Sequence, residues 1–211
     1  MGALSRHHTV YLVDWPGFGA MRRYRRHFSV AGAAEWLGEL LNVLGLNQVS
    51  LAGHSMGGLI AAIFAARWPE RVTKLVLVAP AIGLTGTTIT SFLLPVARES
   101  FSVHPRFAPT LARDTARAGL FTVQRVAREL LQMNIERELA QITAPCLLVW
   151  GGRDLLVPVA LAYQLQTKIR GSRLCLLPEA GHIAMYHRAE QFNEAILAFL
   201  AEPRAEVAAR A

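Results

Sequence analysis

Val49-Ser50-Leu51-Ala52-Gly53-His54-Ser55-Met56-Gly57-Gly58-Leu59-Ile60-Ala61-Ala62 is the stretch on which the reading of this chain turns. Its first part, residues 48–52, suits a strand, and residues 56–67, rich in Ala and Ile, suit a helix. Between them Gly53-His54-Ser55-Met56-Gly57 leaves room only for a sharp strand-to-helix turn. Such a turn strains its central serine, and small residues at Gly53 and Gly57 are expected to avoid collision. The hydroxyl is then displayed at a helix N-terminus, where amide N–H groups favour developing negative charge. Gly-x-Ser-x-Gly alone arises by chance in about one chain of this length in fifteen. The flanking strand and helix lift this occurrence above chance and make Ser55 a candidate nucleophile.

The alternation continues on both sides. Residues 9–14 read as a strand closed by the turn residues Pro16-Gly17-Phe18-Gly19. Ser29 reads as the N-cap of a helix over 30–44, with Gly45 at its C-terminal end. Trp68-Pro69 stops the helix that begins at Met56, because the residue before proline disfavours helical geometry. Residues 72–79 are almost wholly apolar, which points to a central strand of a parallel sheet. From 82 to 144 the strand pattern stops, and 87–100, 109–118 and 122–141 read as helices. Strand 146–150, helix 159–169, strand 173–177 and helix 189–200 then resume the alternation. These spacings predict an α/β fold, a mostly parallel sheet flanked by helices. The core spans 1–81 and 145–202, a helical insertion spans 82–144, and 203–211 is a frayed tail.

A serine hydroxyl is a weak nucleophile and needs a base oriented by a carboxylate. In a parallel sheet such partners gather at the C-terminal ends of the strands. Among seven histidines, His182 directly follows the last strand, in Glu179-Ala180-Gly181-His182. His54 adjoins the serine, but neighbouring side chains in a tight turn point apart, so it reads as packing. His7, His8, His27, His104 and His187 fall in termini, loops or the insertion and carry no assignment. Asp154, in Gly151-Gly152-Arg153-Asp154, follows the strand over 146–150. Asp14 precedes the serine in a proline-glycine turn and reads as bonding its own backbone. Asp114 reads as a solvated helix residue. Strand-end geometry thus selects Ser55, Asp154 and His182.

The 211 residues suit one domain with a substantial core. Net charge is +7, yet no zinc-ligand spacing, aromatic-basic RNA motif or long basic tail accompanies it, so nucleic acid is not an expected partner. Arg22, Arg23, Arg25 and Arg26 around Tyr24 read as a solvated loop. No apolar run approaches the ~20 residues needed to cross a bilayer. The first eight residues lack a signal-peptide core, so a cytoplasmic protein is expected. Cys146 and Cys175 sit in apolar runs and read as buried free thiols. Nothing in the chain specifies an oligomeric state.

Together these motifs resemble those of the α/β-hydrolase superfamily, in its serine-nucleophile, capped esterase/lipase-like branch. Gly53-His54-Ser55-Met56-Gly57-Gly58 resembles the nucleophile elbow. Asp14-Trp15-Pro16-Gly17-Phe18-Gly19 resembles the loop before the first helix after the fourth strand. Gly151-Gly152-Arg153-Asp154 resembles the acid loop and Gly181-His182 the histidine loop, in the family's order of nucleophile, acid and histidine. The resemblance implies an acyl-enzyme on Ser55, an oxyanion held by the Met56 N–H, and neither metal nor organic cofactor. It also implies that 82–144 is a cap setting substrate range. Within it Phe92, Leu93, Phe107, Leu111, Leu120 and Phe121 would suit a small or medium apolar ester. Hydrolysis of a carbon–carbon bond in a ring-cleavage product is the enzymatic alternative, and an acyl-carrier ester a further one. Family members that dehalogenate or open epoxides carry aspartate where Ser55 stands, so those activities are disfavoured.

The chain departs from the family in one large respect. Its first strand matches the family's fourth, so the first three strands are missing. In the family's order, 1-2-4-3-5-6-7-8, a third strand would lie between residues 9–14 and 48–52. Without it these two segments must pair directly or leave ladder groups unpaired. The missing segment would also bring the His-Gly loop and its oxyanion N–H, a donor whose loss typically costs ~10²–10³ in turnover. Two expectations follow, a fragment of an ordinary hydrolase or a short form with impaired or no catalysis. Ala189, where the family often has proline, should slightly affect helix initiation.

Overall fold

A computed structural model of the chain describes residues 2–23, 28–84, 88, 113 and 120–203. In chain order its main elements are α1 (Val30–Val43), β1 (Val49–His54), α2 (Met56–Arg67) and β2 (Val72–Val78). They continue with α3 (Leu120–Gln132), α4 (Glu136–Leu139), β3 (Cys146–Gly151), α5 (Val159–Lys168), β4 (Arg173–Leu177), α6 (Ala184–His187) and α7 (Ala189–Ala201). The strands pair in the order β1-β2-β3-β4, every pair parallel. The fold is therefore a parallel sheet flanked by helices, as the spacings predict.

Side chains alternate across a strand, so each apolar strand feeds two cores. Leu75 and Leu77 of β2, with Cys146, Leu148 and Trp150 of β3, face α1, α2 and α3. Val76, Val78, Leu147 and Val149 face the other way, onto Ala184 of α6 and Phe192, Ile196 and Phe199 of α7. Helix α2 is buried at every position from Gly58 to Ala66, as a helix enclosed on all sides must be. Val126, Leu130 and Leu131 of α3 join the first core. Helix α1 begins as read, with Ser29 Oγ accepting from Gly32 N–H at 3.0 Å. A second cap comes from far along the chain, where Glu129 of α3 accepts from Val30 N–H at 2.6 Å.

Residues 9–14 are a correction, because they form no strand. They join no sheet ladder, and Val10, Tyr11 and Leu12 are 36%, 52% and 72% exposed. β-branched composition favours a pleated surface, but a strand exists only against a partner's edge. β1 bonds β2 on one side, and no described strand lies on its other side. Direct pairing of 9–14 with β1 does not occur. The helix read over 122–141 is also interrupted, between α3 and α4. There Asn134 Oδ1 accepts from Glu136 N–H at 3.0 Å, a side-chain bond that competes with helix continuation. Helix α7 starts at Ala189 with no side-chain cap. Phe92, Leu93, Phe107, Leu111, Asp114, the Tyr24 end of the basic run and residues 204–211 lie outside the described residues, and so do the side chains of Leu120 and Phe121.

One buried charge ties the sheet to the last helix. Lys74 of β2 is 7% exposed, and its ammonium donates to the carbonyls of Phe199, Leu200 and Glu202 at 2.9, 2.7 and 2.5 Å. All three of its donors are thus used, on carbonyls that end α7 with no helical partner. Arg173 holds Glu202 with two further bonds, at 2.9 and 2.8 Å. No described helix is long and apolar enough to cross a membrane. Lys74→Met keeps the apolar stem and removes the ammonium. It is expected to lower unfolding stability by about 2–3 kcal/mol, measured by urea denaturation at neutral pH. An unchanged midpoint would show that water satisfies these carbonyls equally well.

Candidate active site

β1 runs into α2 through Ser55, whose φ of 53° and ψ of −119° are strained for a residue with a side chain. Such strain costs about 1–3 kcal/mol and persists only where the surroundings over-determine it. Here the end of β2, the segment after it and the first turn of α2 do so. Ser55 N–H donates to Val78 O at 3.0 Å, and Ser55 O accepts from Ala81 N–H at 3.0 Å and Leu59 N–H at 3.1 Å. Close backbone approach explains the glycines, though not the pair expected from the motif. A Cβ on Gly53 would fall 2.2 Å from Gly57 O, and one on Gly58 would fall 2.8 Å from Pro80 Cβ. At Gly57 it would meet only Trp15 Nε1, at 3.9 Å. Gly53 and Gly58, not Gly57, are the positions that sterics restrict. Met56 opens α2, so its N–H belongs to the first helical turn, which lacks helical acceptors.

The acid and histidine loops meet at the same sheet edge. Gly152 N–H donates to Leu177 O and Arg153 N–H to Ala180 O, both at 2.9 Å. A Cβ on Gly151 would fall 2.2 Å from Gly181 O, so this contact needs glycine. Asp154 Oδ2 then accepts from His182 Nδ1 at 2.8 Å. Its Oδ1 accepts from the N–H groups of Leu156 and Val157 at 2.9 and 2.8 Å. Both side chains are buried, that of Asp154 completely. The carboxylate therefore fixes the imidazole with its proton on Nδ1, which makes Nε2 the proton-accepting nitrogen.

His54 was read as packing, and the structure gives it more to do. Its Nε2 donates to His182 O at 2.9 Å, and the two rings lie 4.6 Å apart. Burial, and then the neighbouring His182, lower its pKa from 6.5 to about 4. His187, also unassigned, accepts at Nδ1 from Gly181 N–H at 3.0 Å. Position His187 carried no signal in the sequence. His54 carried one, its place inside the elbow. Asp14 behaves as read, its carboxylate accepting from Ala20 N–H at 2.9 Å. Cys146 is buried and Cys175 only half-buried, both as free thiols. Burial pushes the Cys146 thiol up to about 12, so it is a poor nucleophile. Among the described residues no three His, Cys, Asp or Glu side chains gather as metal ligands would.

The lowered pKa of His54 couples its protonation to folding. An unfolded chain binds this proton near pH 6.5 and the folded chain only near pH 4, so the contribution is complete above 6.5 and lost as pH falls towards 4. Stability is expected to drop by on the order of 3 kcal/mol across that window. Urea titrations of the protein and of His54→Phe should differ in slope there, the variant showing about one proton less uptake on unfolding. Equal slopes would contradict the assignment.

Comparison with known proteins identifies the family. The model of the alpha/beta hydrolase family matches residues 1–195. The chain is 28% identical to a 2-hydroxy-6-oxononadienedioate/2-hydroxy-6-oxononatrienedioate hydrolase of Klebsiella pneumoniae, over 92% of this chain and 77% of that one. It is 30% identical to a dihydrolipoyllysine-residue acetyltransferase component of the acetoin cleaving system of Pseudomonas putida, over 94% of this chain but only 58% of that one. The solved structure of a meta-cleavage product hydrolase variant superposes with a TM-score of 0.78 at 21% identity, covering 96% of this chain and 83% of that one. With its elbow, acid loop and histidine loop at one sheet edge, the chain belongs to the alpha/beta hydrolase family.

Proposed function

We propose that this chain is a serine hydrolase that cleaves a carboxylic ester through an acyl-enzyme on Ser55. The observation that carries the reading is the buried Asp154–His182 bond at 2.8 Å, at the same sheet edge as a serine held at φ 53°. His182 Nε2 takes the Ser55 hydroxyl proton as Oγ attacks the carbonyl carbon. The Met56 N–H, on the first turn of α2, stabilises the oxyanion. The tetrahedral species expels the alcohol, which leaves with the proton from His182. Water then attacks the acyl-enzyme, giving its proton to the same nitrogen. Collapse of the second tetrahedral species breaks the acyl C–Oγ bond as His182 returns that proton to Ser55 Oγ, releasing the acid. Asp154 stabilises the imidazolium at each proton transfer. The mechanism calls on neither metal nor organic cofactor.

Substrate range is assigned to the insertion over 82–144, acting as a cap, with Phe92, Leu93, Phe107, Leu111 and Phe121 as the apolar contacts for a small or medium acyl group. Free thiols at Cys146 and Cys175 support a cytoplasmic setting. A second reading, hydrolysis of a carbon–carbon bond next to a ketone, is favoured by the Klebsiella pneumoniae relative, a hydrolase of 2-hydroxy-6-oxononadienedioate at 28% identity.

A fluorophosphonate probe is expected to label the protein at Ser55, with labelling abolished in Ser55→Ala and slowed ~10³–10⁴-fold in Asp154→Asn. Well-folded protein that takes no label would sink the serine-hydrolase reading. Ratios of kcat/KM for a p-nitrophenyl butyrate and a 2-hydroxy-6-oxodienoate decide the bond cleaved. The ester is expected to be preferred, and preference for the dienoate would replace the first reading with the second.

A further inference from the structure

His182 is gripped on both sides by histidines to which the proposed reaction gives no role. Gly181 N–H, one residue before it, donates to His187 Nδ1 at 3.0 Å. Its own carbonyl accepts from His54 Nε2 at 2.9 Å. Between these two backbone groups lie the φ and ψ of Gly181 and His182, the torsions that aim the His182 ring at Asp154. The His54 bond also spans 128 residues, joining the elbow that holds Ser55 to the loop that holds His182. We propose that His54 and His187 are positioning residues, a clamp that fixes the His182 imidazole relative to both Asp154 and Ser55. This rests on the serine-hydrolase reading only for its effect on rate.

Three further observations fit a clamp. Both bonds call for a proton on Nε2, since His54 donates from that nitrogen, while His187, accepting at Nδ1, must be the neutral Nε2–H tautomer. His54 is held neutral by its burial, so it sets no positive charge beside His182, 4.6 Å away ring to ring, when that ring becomes imidazolium. Finally, α6 places His187 by a bond from His187 N–H to Ile183 O at 3.1 Å, so the clamp is carried on ordered backbone. A site group held within about 0.5 Å by such supporting bonds keeps its reactive geometry, and a displacement of about 1 Å can cost ~10²-fold in rate.

Two readouts test the clamp, both on the whole chain. The first is solvent exchange of the His182 Nδ1 proton shared with Asp154, followed by proton NMR. The second is the rate of Ser55 labelling by a fluorophosphonate, with kcat and KM on p-nitrophenyl butyrate. His54→Phe and His187→Phe keep a ring and lose the bond. Each is expected to speed proton exchange about tenfold or more and to lower kcat about 10–100-fold, leaving KM within about twofold. His54→Gln, which restores an N–H donor, and His187→Gln, which restores an acceptor oxygen, are expected to recover most of both losses. Phe variants that match the wild type in exchange and kcat overturn the clamp, as do Gln variants that recover neither. If the wild type takes no label, the serine-hydrolase reading falls and proton exchange alone decides the clamp. If the Phe variants do not fold, nitrogen-15 shifts of the wild type at pH 7.5 decide it. Nε2–H tautomers at both histidines support it, and an Nδ1–H tautomer at either overturns it.

Discussion

Ser55 stands at φ 53°, a conformation that a side-chain-bearing residue keeps only when the chain around it permits no other. The end of β2 and the segment that follows it supply this constraint from both sides. Val78 takes the Ser55 N–H, Ala81 gives its N–H to the Ser55 carbonyl, and Pro80 fills the space beside Gly58. That segment is itself turned by Ala79, the other described non-glycine residue with positive φ, at 37°, anchored by Val149 of β3. The elbow is therefore strained against β2, and β2 against β3. Its bonds therefore run to the centre of the sheet.

The parallel register carries the same logic to the other loops. His54 pairs with Val78, Val78 with Val149, and Gly151 with Leu177, so the strands end near a common edge. Side chains from opposite halves of the chain meet there without a dedicated scaffold. Lys74, Asp154 and His182 are the buried polar or charged residues described, and they split between two tasks. Lys74 closes the end of α7 with three carbonyls and so holds the helix packed behind the histidine loop. Asp154 and His182 satisfy one another, and two backbone N–H groups complete the carboxylate. Among the described residues no buried side-chain nitrogen or oxygen is left without a hydrogen bond, as buried polar groups of a folded protein require.

Much of this was legible in the residues because strand-end geometry is local. An apolar run, a glycine turn and an Ala-rich helix identify the elbow, and Asp154 and His182 follow from their places after β3 and β4. What was not legible depends on which backbones pass close to one another. Residues 9–14 have strand composition, but composition does not provide a partner edge. The restriction at Gly58 comes from Pro80, more than twenty residues away, and no spacing rule reports it. Asn134 breaks a helical pattern with one side-chain bond. Lys74 looks like an interruption in an apolar strand until the end of α7 arrives above it. His54 and His187 gained partners only when the His182 loop folded between them.

The central claim is that Ser55 itself becomes acylated, and rapid-quench mass spectrometry with peptide mapping tests it most directly. Mixing the protein with excess p-nitrophenyl butyrate and quenching in acid should trap a butyryl group on the peptide that carries Ser55, rising and falling with turnover. Turnover with no acyl group on that peptide, or with the acyl group on another residue, would contradict the account.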